Sequence, residues 1–376
     1  MKLVAALVVA LFGCARPSPS GPLPDDAFGA AVAYLDSAVA GGAAPGAVLG
    51  VSHGGRHFYH ATGRLGTDDA TSPDSATIYD LASLTKVVGL TTAVMLALEE
   101  KRIELHAPVE RYVPAFSGGL KSKVTLRHLL THSSGLPAWR PLHKETSDRA
   151  AALLLADTTA LDTAPGTRFV YSDVGAIVLT QAVETAYGER LDSILARRVF
   201  APLGLSSTMF LPPPELAPRI APTELDPWRG RILRGEVHDE NAARLEGVSG
   251  HAGLFSTARD LLHFGDWILA VAQGRRDTLT DGKHPKAFFR KQNQPRGSSR
   301  ALGWDTPSEG SSAGTRLSRH SFGHTGFTGT SIWVDPRRDL VIVLLSNRVH
   351  PTRDNSRWGP VRREVADRIA AAAGRL

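Results

Sequence analysis

The residues of this chain best placed to do chemistry are Ser83 and Lys86, the two ends of the segment Ser83-Leu84-Thr85-Lys86. Three residues apart at the start of a helical pattern, they share one face and stand one turn apart. A serine there meets free N–H groups and the positive end of the helix dipole, which stabilise developing negative charge. A partly desolvated amine beside it lowers the cost of deprotonating the hydroxyl, so the pair reads as a nucleophile with its activator. Alone the pattern is weak, because ordinary serine and lysine usage gives roughly one chance match in a chain this long. Two clusters lie downstream: Tyr171-Ser172-Asp173, where a helix begins, and Gly323-His324-Thr325-Gly326-Phe327-Thr328-Gly329, which leads into an apolar hairpin.

In this order the three clusters resemble the penicillin-recognising serine hydrolases, the group of class C β-lactamases, D-Ala-D-Ala carboxypeptidases and related esterases. Those proteins carry S-x-x-K, then Y-x-N, then K-T-G or H-T-G. Leu129 to Pro137 and Gly250 to Thr257 resemble supporting segments of the same family, and the likeness runs from about residue 25 to the C-terminus. It implies that Ser83 is acylated, that Lys86 activates it, and that Tyr171 carries a proton between Ser83 and the leaving group. It also implies an oxyanion hole from the N–H groups of Ser83 and Phe327. His324, Thr325 and Gly326 would line the cleft, with His324 and Thr325 binding a carboxylate or polar group. The substrate class would be a peptide, ester or β-lactam, with no cofactor or metal.

Two departures stand out. Asp173 occupies the place of the asparagine, so when ionised it accepts hydrogen bonds but cannot donate one. Its charge holds Lys86 as ammonium, which shifts the base role toward Tyr171. His324 occupies the place of the lysine, which would make the positive charge of the cleft depend on pH.

The elements that must position these groups are legible as patterns. Phe28, Val32, Leu35 and Val39 form one stripe of a helix from about Asp25 to Val39. A hairpin follows, with strands Gly46 to Ser52 and Arg56 to Thr62 around His53-Gly54-Gly55. Val87, Leu90, Val94 and Leu98 continue the Ser83 helix. The middle of the chain reads as helices at Thr125–Thr131, Ser147–Ala156, Asp173–Tyr187 and Ser256–Val271. From Gln273 to Ser318 it is polar and irregular, apart from a strand-like piece at Leu302-Gly303-Trp304. Strands at Ser331–Val334 and Leu340–Leu345 precede a helix from Pro360 to Ala373. The second strand is apolar on both faces, so helices should cover both sides of its sheet. The reading is an α/β (α+β) fold. An antiparallel sheet comes from about 25–80 and 300–376, flanked by helices, with a mostly helical subdomain at about 100–290.

The N-terminus reads as an export signal. Leu3 to Phe12 is apolar but well short of the ~20 residues that span a bilayer. Leu11-Phe12-Gly13-Cys14 resembles a lipobox, so residues 1–13 would be a lipoprotein signal and Cys14 the lipidated residue. Residues 14–24 would be a Pro- and Ser-rich tether, and the domain would face the periplasm from a membrane anchor. With one cysteine there is no disulfide framework. A formal charge of +6, spread along the chain, does not resemble a nucleic-acid footprint and suits work near anionic envelope polymers.

Other patterns carry less. His128 and His132 are spaced like a metal pair but lack the glutamate of H-E-x-x-H. Gly310-Ser311-Ser312-Ala313-Gly314 matches a nucleophile elbow without its strand and helix. Glu236 to Asn241 is dense in functional groups and suggests either a family signature or a solvated loop. A catalytically weak member of the fold that binds cell-wall peptide is the competing functional reading.

Overall fold

The computed structural model describes residues 23–24, 26–275, 279–280 and 285–376. Helix α1 (Gly29–Ala40) leads into the hairpin β1 (Gly46–His53) and β2 (Arg56–Gly63). Gly54 and Gly55 both take positive φ, so two glycines close the turn, and His53 pairs with Arg56 as part of the strand. Leu23, read as tether, is buried in the core beside α1, so packing starts upstream of residue 25.

A short β3 (Tyr79–Asp80) precedes the Ser83 segment, which runs into α2 (Thr92–Glu99). The helical part follows: α3 (Leu126–Leu130), α4 (Leu142–Glu145), α5 (Arg149–Thr158), α6 (Asp173–Tyr187) and α7 (Leu191–Leu195). Short strands β4 (Met209–Phe210), β5 (Leu225–Asp226) and β6 (Arg231–Ile232) then lead to α8 (Glu240–Arg244) and β7 (Leu254–Ser256). Helix α9 (Ala258–Ala272) returns to the sheet. The chain ends with β8 (Phe322–Thr325), β9 (Ser331–Asp335), β10 (Leu340–Ser346) and α10 (Trp358–Ala373).

The main sheet is antiparallel with order β2-β1-β10-β9-β8, so the two ends of the chain meet where β1 pairs with β10. Alternation along β10 divides its side chains. Val341, Val343 and Leu345 enter the larger core, which includes α9, while Leu340, Ile342 and Leu344 enter a second core under α1 and α10. The double-sided apolar run is thus a strand covered on both faces. Helix α6 begins at Asp173 because Ser172 caps it, its hydroxyl accepting the Gly175 N–H at 3.0 Å.

Leu302-Gly303-Trp304 forms no strand. Gly303 turns the chain at φ 77°, and the pairing falls one residue later, where Asp305 bridges Gly323. The Gly310–Gly314 stretch is a series of turns, in which the Ser312 hydroxyl accepts the Trp333 indole N–H at 3.1 Å.

Candidate active site

Ser83 sits in one 3₁₀ turn, Ala82–Leu84, followed by a π-helical stretch, Lys86–Thr91, before α2 begins. The register differs from a plain α-helix, yet the pair still meets: Lys86 Nζ donates to Ser83 Oγ at 3.0 Å. Ala82 is held at φ 46°, a left-handed conformation that costs a non-glycine residue roughly 1–2 kcal/mol. The buried Asp80 carboxylate fixes it by accepting the Ala82 N–H at 2.7 Å.

Lys86 is 3% exposed. Its amine also donates to the His251 carbonyl at 2.9 Å and lies 2.7 Å from Asp173 Oδ1. Burial pulls the amine toward neutrality, but the Asp173 carboxylate and then the Tyr171 phenol outweigh it, holding the ammonium above its ordinary value.

Tyr171 is set by what surrounds its ring. The His132 ring lies 4.6 Å away, centroid to centroid, and His132 Nδ1 accepts the Ser172 N–H at 3.1 Å. The Arg300 guanidinium stands 5.3 Å from the same ring, and the Lys86 ammonium 5.0 Å. The buried Tyr171 hydroxyl has no hydrogen-bond partner among the described residues. His128 Nδ1 accepts the Thr125 N–H at the start of α3, so the two histidines do separate structural work and form no pair.

His324 overturns the expectation of a pH-dependent positive cleft. It is buried, and burial, with Arg300 and Lys86 adding to it, holds its pKa well below 6.5. Nδ1 donates to the Thr325 carbonyl at 2.8 Å, which leaves Nε2 as a bare acceptor, unpartnered among the described residues. The positive charge comes from arginines instead.

The strand edge is pinned to the nucleophile segment. Thr328 Oγ1 donates to the Asp80 carbonyl at 2.7 Å, and Thr330 Oγ1 to the Leu81 carbonyl at 2.9 Å. At Gly326 a Cβ would collide with Thr330 Oγ1 and the Leu81 carbonyl, so glycine is required for this approach. Arg362 Nη2 donates to the Gly326 carbonyl at 2.5 Å, and Arg348 Nε to the Phe327 carbonyl at 2.9 Å.

Ser83 opens onto two cavities. One, of about 610 Å³, includes Tyr171, Arg300, His324, Thr325, Arg348 and Arg362 in its lining. The other, of about 830 Å³, lies on the Asp173 side and includes Trp139, Trp228, His238, Asp239 and Glu240. Phe327 lines both. The structure therefore brings together Ser83, Lys86, Tyr171, Asp173, His324, Thr325, Gly326 and Phe327; Cys14 lies outside the described residues.

The Beta-lactamase family profile matches residues 31–367. The chain belongs to the beta-lactamase family. A protein named "Putative D-alanyl-D-alanine carboxypeptidase" from Escherichia coli (strain K12) is 32% identical over 319 residues, 73% of this chain and 70% of that protein. One of the same name from Salmonella typhi is 32% identical over 314 residues, 76% of this chain and 72% of that protein. Among solved structures, the class C beta lactamase from Rhodobacter sphaeroides has a TM-score of 0.71 at 25% identity, covering 92% of this chain and 99% of that one. "EstCE1, a hydrolase with promiscuous acyltransferase activity" has a TM-score of 0.75 at 21% identity, with coverage of 92% and 99%.

Within this beta-lactamase-family fold, Glu236 is exposed, but Val237–Asn241 is no solvated loop. The His238 N–H donates to Asp80 Oδ2 at 2.6 Å, and its ring stacks on Phe327 at 5.7 Å. Asp239 Oδ1 lies 2.8 Å from His251 Nε2, the residue whose carbonyl holds Lys86. Asn241 bonds the His143 N–H and the Arg140 carbonyl. The segment thus forms one wall of the cavity beside Ser83. Sequence reasoning also missed Arg300, Arg348 and Arg362. Isolated arginines in irregular or helical surroundings carry no periodic signal, although the buried Trp304 beside Arg300 was a usable hint.

Proposed function

We propose that this serine hydrolase removes a C-terminal residue bearing a free carboxylate from a peptidoglycan-type stem peptide, through an acyl-enzyme on Ser83. One observation carries the reading: three residues that line one cavity with Ser83 carry polar atoms that make no hydrogen bond among the described residues. They are the Tyr171 hydroxyl, His324 Nε2, and Nε and Nη1 of Arg300, whose Nε lies 3.7 Å from the Asp305 carboxylate. A guanidinium whose donors make no hydrogen bond suits a carboxylate, and a neutral imidazole acceptor suits the N–H of an amide leaving group. An ester leaving group offers no such N–H. The names of the curated relatives agree with this reading.

Tyr171, as phenolate stabilised by the Lys86 ammonium, takes the Ser83 proton as the oxygen attacks the scissile carbonyl. The N–H groups of Ser83 and Phe327 receive the oxyanion. Tyr171 then protonates the leaving nitrogen, and the bond to it breaks. Water repeats the cycle in reverse, releasing the shortened peptide and restoring Ser83. Lys86 stays charged throughout as the electrostatic support of the phenolate.

The test is incubation with a stem pentapeptide and with its C-terminal carboxamide. Release of D-alanine from the acid, with much slower release of the amidated residue, is the expected result. Equal turnover of the two sinks the carboxylate reading. Location at the periplasmic face through a lipid on Cys14 is part of the same proposal. It is checked by the mass of the mature N-terminus from a membrane fraction.

A further inference from the structure

We propose that Arg362 is a positioning residue of the oxyanion hole, holding and polarising the Gly326–Phe327 peptide whose N–H is one of the two oxyanion donors. The inference rests on the acyl-enzyme reading above.

The Gly326 carbonyl and the Phe327 N–H belong to one planar unit, so fixing the oxygen fixes the direction of the N–H. Arg362 Nη2 reaches that oxygen at 2.5 Å and the Thr330 carbonyl at 3.0 Å. A charge-assisted bond at a carbonyl oxygen draws density from the amide nitrogen, and linked hydrogen bonds of this kind strengthen one another. The loop is closed from inside by the Gly326 N–H donating to the Thr330 carbonyl at 2.8 Å. On the far side of the same residue, Arg348 Nε holds the Phe327 carbonyl at 2.9 Å. Both peptide units flanking Phe327 are therefore tied to a guanidinium.

Helix α10 has a second anchor to this loop besides Arg362. Trp358, one turn earlier, is buried and donates its indole N–H to the Gly329 carbonyl at 2.7 Å. The charge is also expensive where it stands. Burial lowers the Arg362 pKa to about 9, with Arg348 adding to the effect, and Nη2 donates to carbonyls rather than to a carboxylate. A neutral donor could clamp the loop without that cost; a cation polarises the peptide more strongly.

Arg362 also lines the cavity beside Ser83, so the test must exclude a direct contact with a substrate carboxylate. The substrate is an uncharged aryl ester with a ¹³C-labelled acyl carbonyl. Wild type, Arg362→Lys and Arg362→Met are acylated, the carbonyl stretch of the Ser83 ester is read by difference infrared spectroscopy, and kcat and KM are measured.

The expected result in Arg362→Met is a carbonyl band moved to higher frequency, toward a non-hydrogen-bonded ester. With it, kcat falls about tenfold, less than the 10²–10³ for a whole lost donor, while KM stays near the wild-type value. Arg362→Lys, which keeps the charge, gives an intermediate band and restores part of kcat. An unmoved band in folded Arg362→Met overturns the inference. If that variant does not fold, a wild-type band in Arg362→Lys overturns it instead, since the shorter side chain cannot keep both carbonyl bonds. A wild-type enzyme that forms no Ser83 ester with any ester or peptide overturns the acyl-enzyme reading and this inference with it.

Discussion

Asp173 Oδ1 lies 2.7 Å from the Lys86 ammonium, the same group that donates to Ser83 Oγ. Burial works against that charge and Asp173 does most to restore it, so Lys86 becomes neutral only as pH rises through a raised pKa. Asp173→Asn removes the restoring charge. The alkaline limb of Ser83 acylation by a chromogenic ester therefore moves to lower pH in the variant. A limb that stays in place shows that Lys86 is charged for another reason. The amide also regains a donor, so selectivity should shift toward substrates with an acylamide side chain.

Tyr171→Phe removes the hydroxyl proposed as proton carrier and leaves the ring beside His132 and Arg300. Acylation of Ser83 should slow about 10²–10⁴-fold, the usual worth of a positioned acid or base. Burst kinetics measure it, and an unchanged thermal midpoint confirms that the fold is kept. Near-normal acylation would return the base role to Lys86.

Arg300→Ala should raise KM for peptides with a free C-terminal carboxylate by about 10–100-fold, matching a hydrogen bond to a charged group. Uncharged esters should be affected far less. Parallel losses on both substrates would mean that Arg300 acts through Tyr171 rather than on the carboxylate.

His132 and His324 are buried and held well below the ordinary histidine pKa. The unfolded chain binds protons at these positions as pH falls through about 6.5, while the folded chain resists until lower pH. Their contribution to stability is therefore whole above about pH 6.5 and lost as acidity increases. Thermal midpoints should fall between about pH 7.5 and 5, and binding of carboxylate substrates should show no inflection near 6.5 assignable to His324. An inflection there that vanishes in His324→Gln would contradict a neutral His324.

Thr330→Val keeps the shape of the side chain and deletes its bond to the Leu81 carbonyl. Stability should drop by about 1 kcal/mol, more if the carbonyl stays dry. Because the bond registers the Phe327 strand edge against Ser83, kcat should fall as well. Denaturant melts and ester turnover separate the two effects. A stability loss with unchanged kcat would make Thr330 a packing residue only.

Much of the architecture was legible because it is periodic. The stripe of Phe28 and Leu35, the alternation along Leu340–Leu345 and the cap at Ser172 each depend on residues close in sequence, and helix α6 falls on the expected bounds. The 3₁₀ and π stretches around Ser83 were not legible. Asp80 holds Ala82 from only two residues away, but Asp80 and Leu81 are themselves bonded by Thr328 and Thr330 of the strand edge, 248 and 249 residues further along the chain. The Val237–Asn241 wall was hidden for the same reason, since its partners Asp80, His143 and His251 are spread along the chain.

The sequence by itself determined which groups could do chemistry here: Ser83 with Lys86, the phenol of Tyr171, and a carboxylate at Asp173 where the resembling family has an amide. Residue type and order are enough for that, because reactivity begins with functional groups. Tertiary structure alone decided their states. Burial left His324 neutral, Asp173 kept buried Lys86 charged, and Arg300 and Arg362, distant in sequence and without a motif, supplied the positive side of the cleft. A pKa and a hydrogen bond depend on solvent exclusion and on neighbours at a few ångströms, and those are set only when the chain has closed on itself.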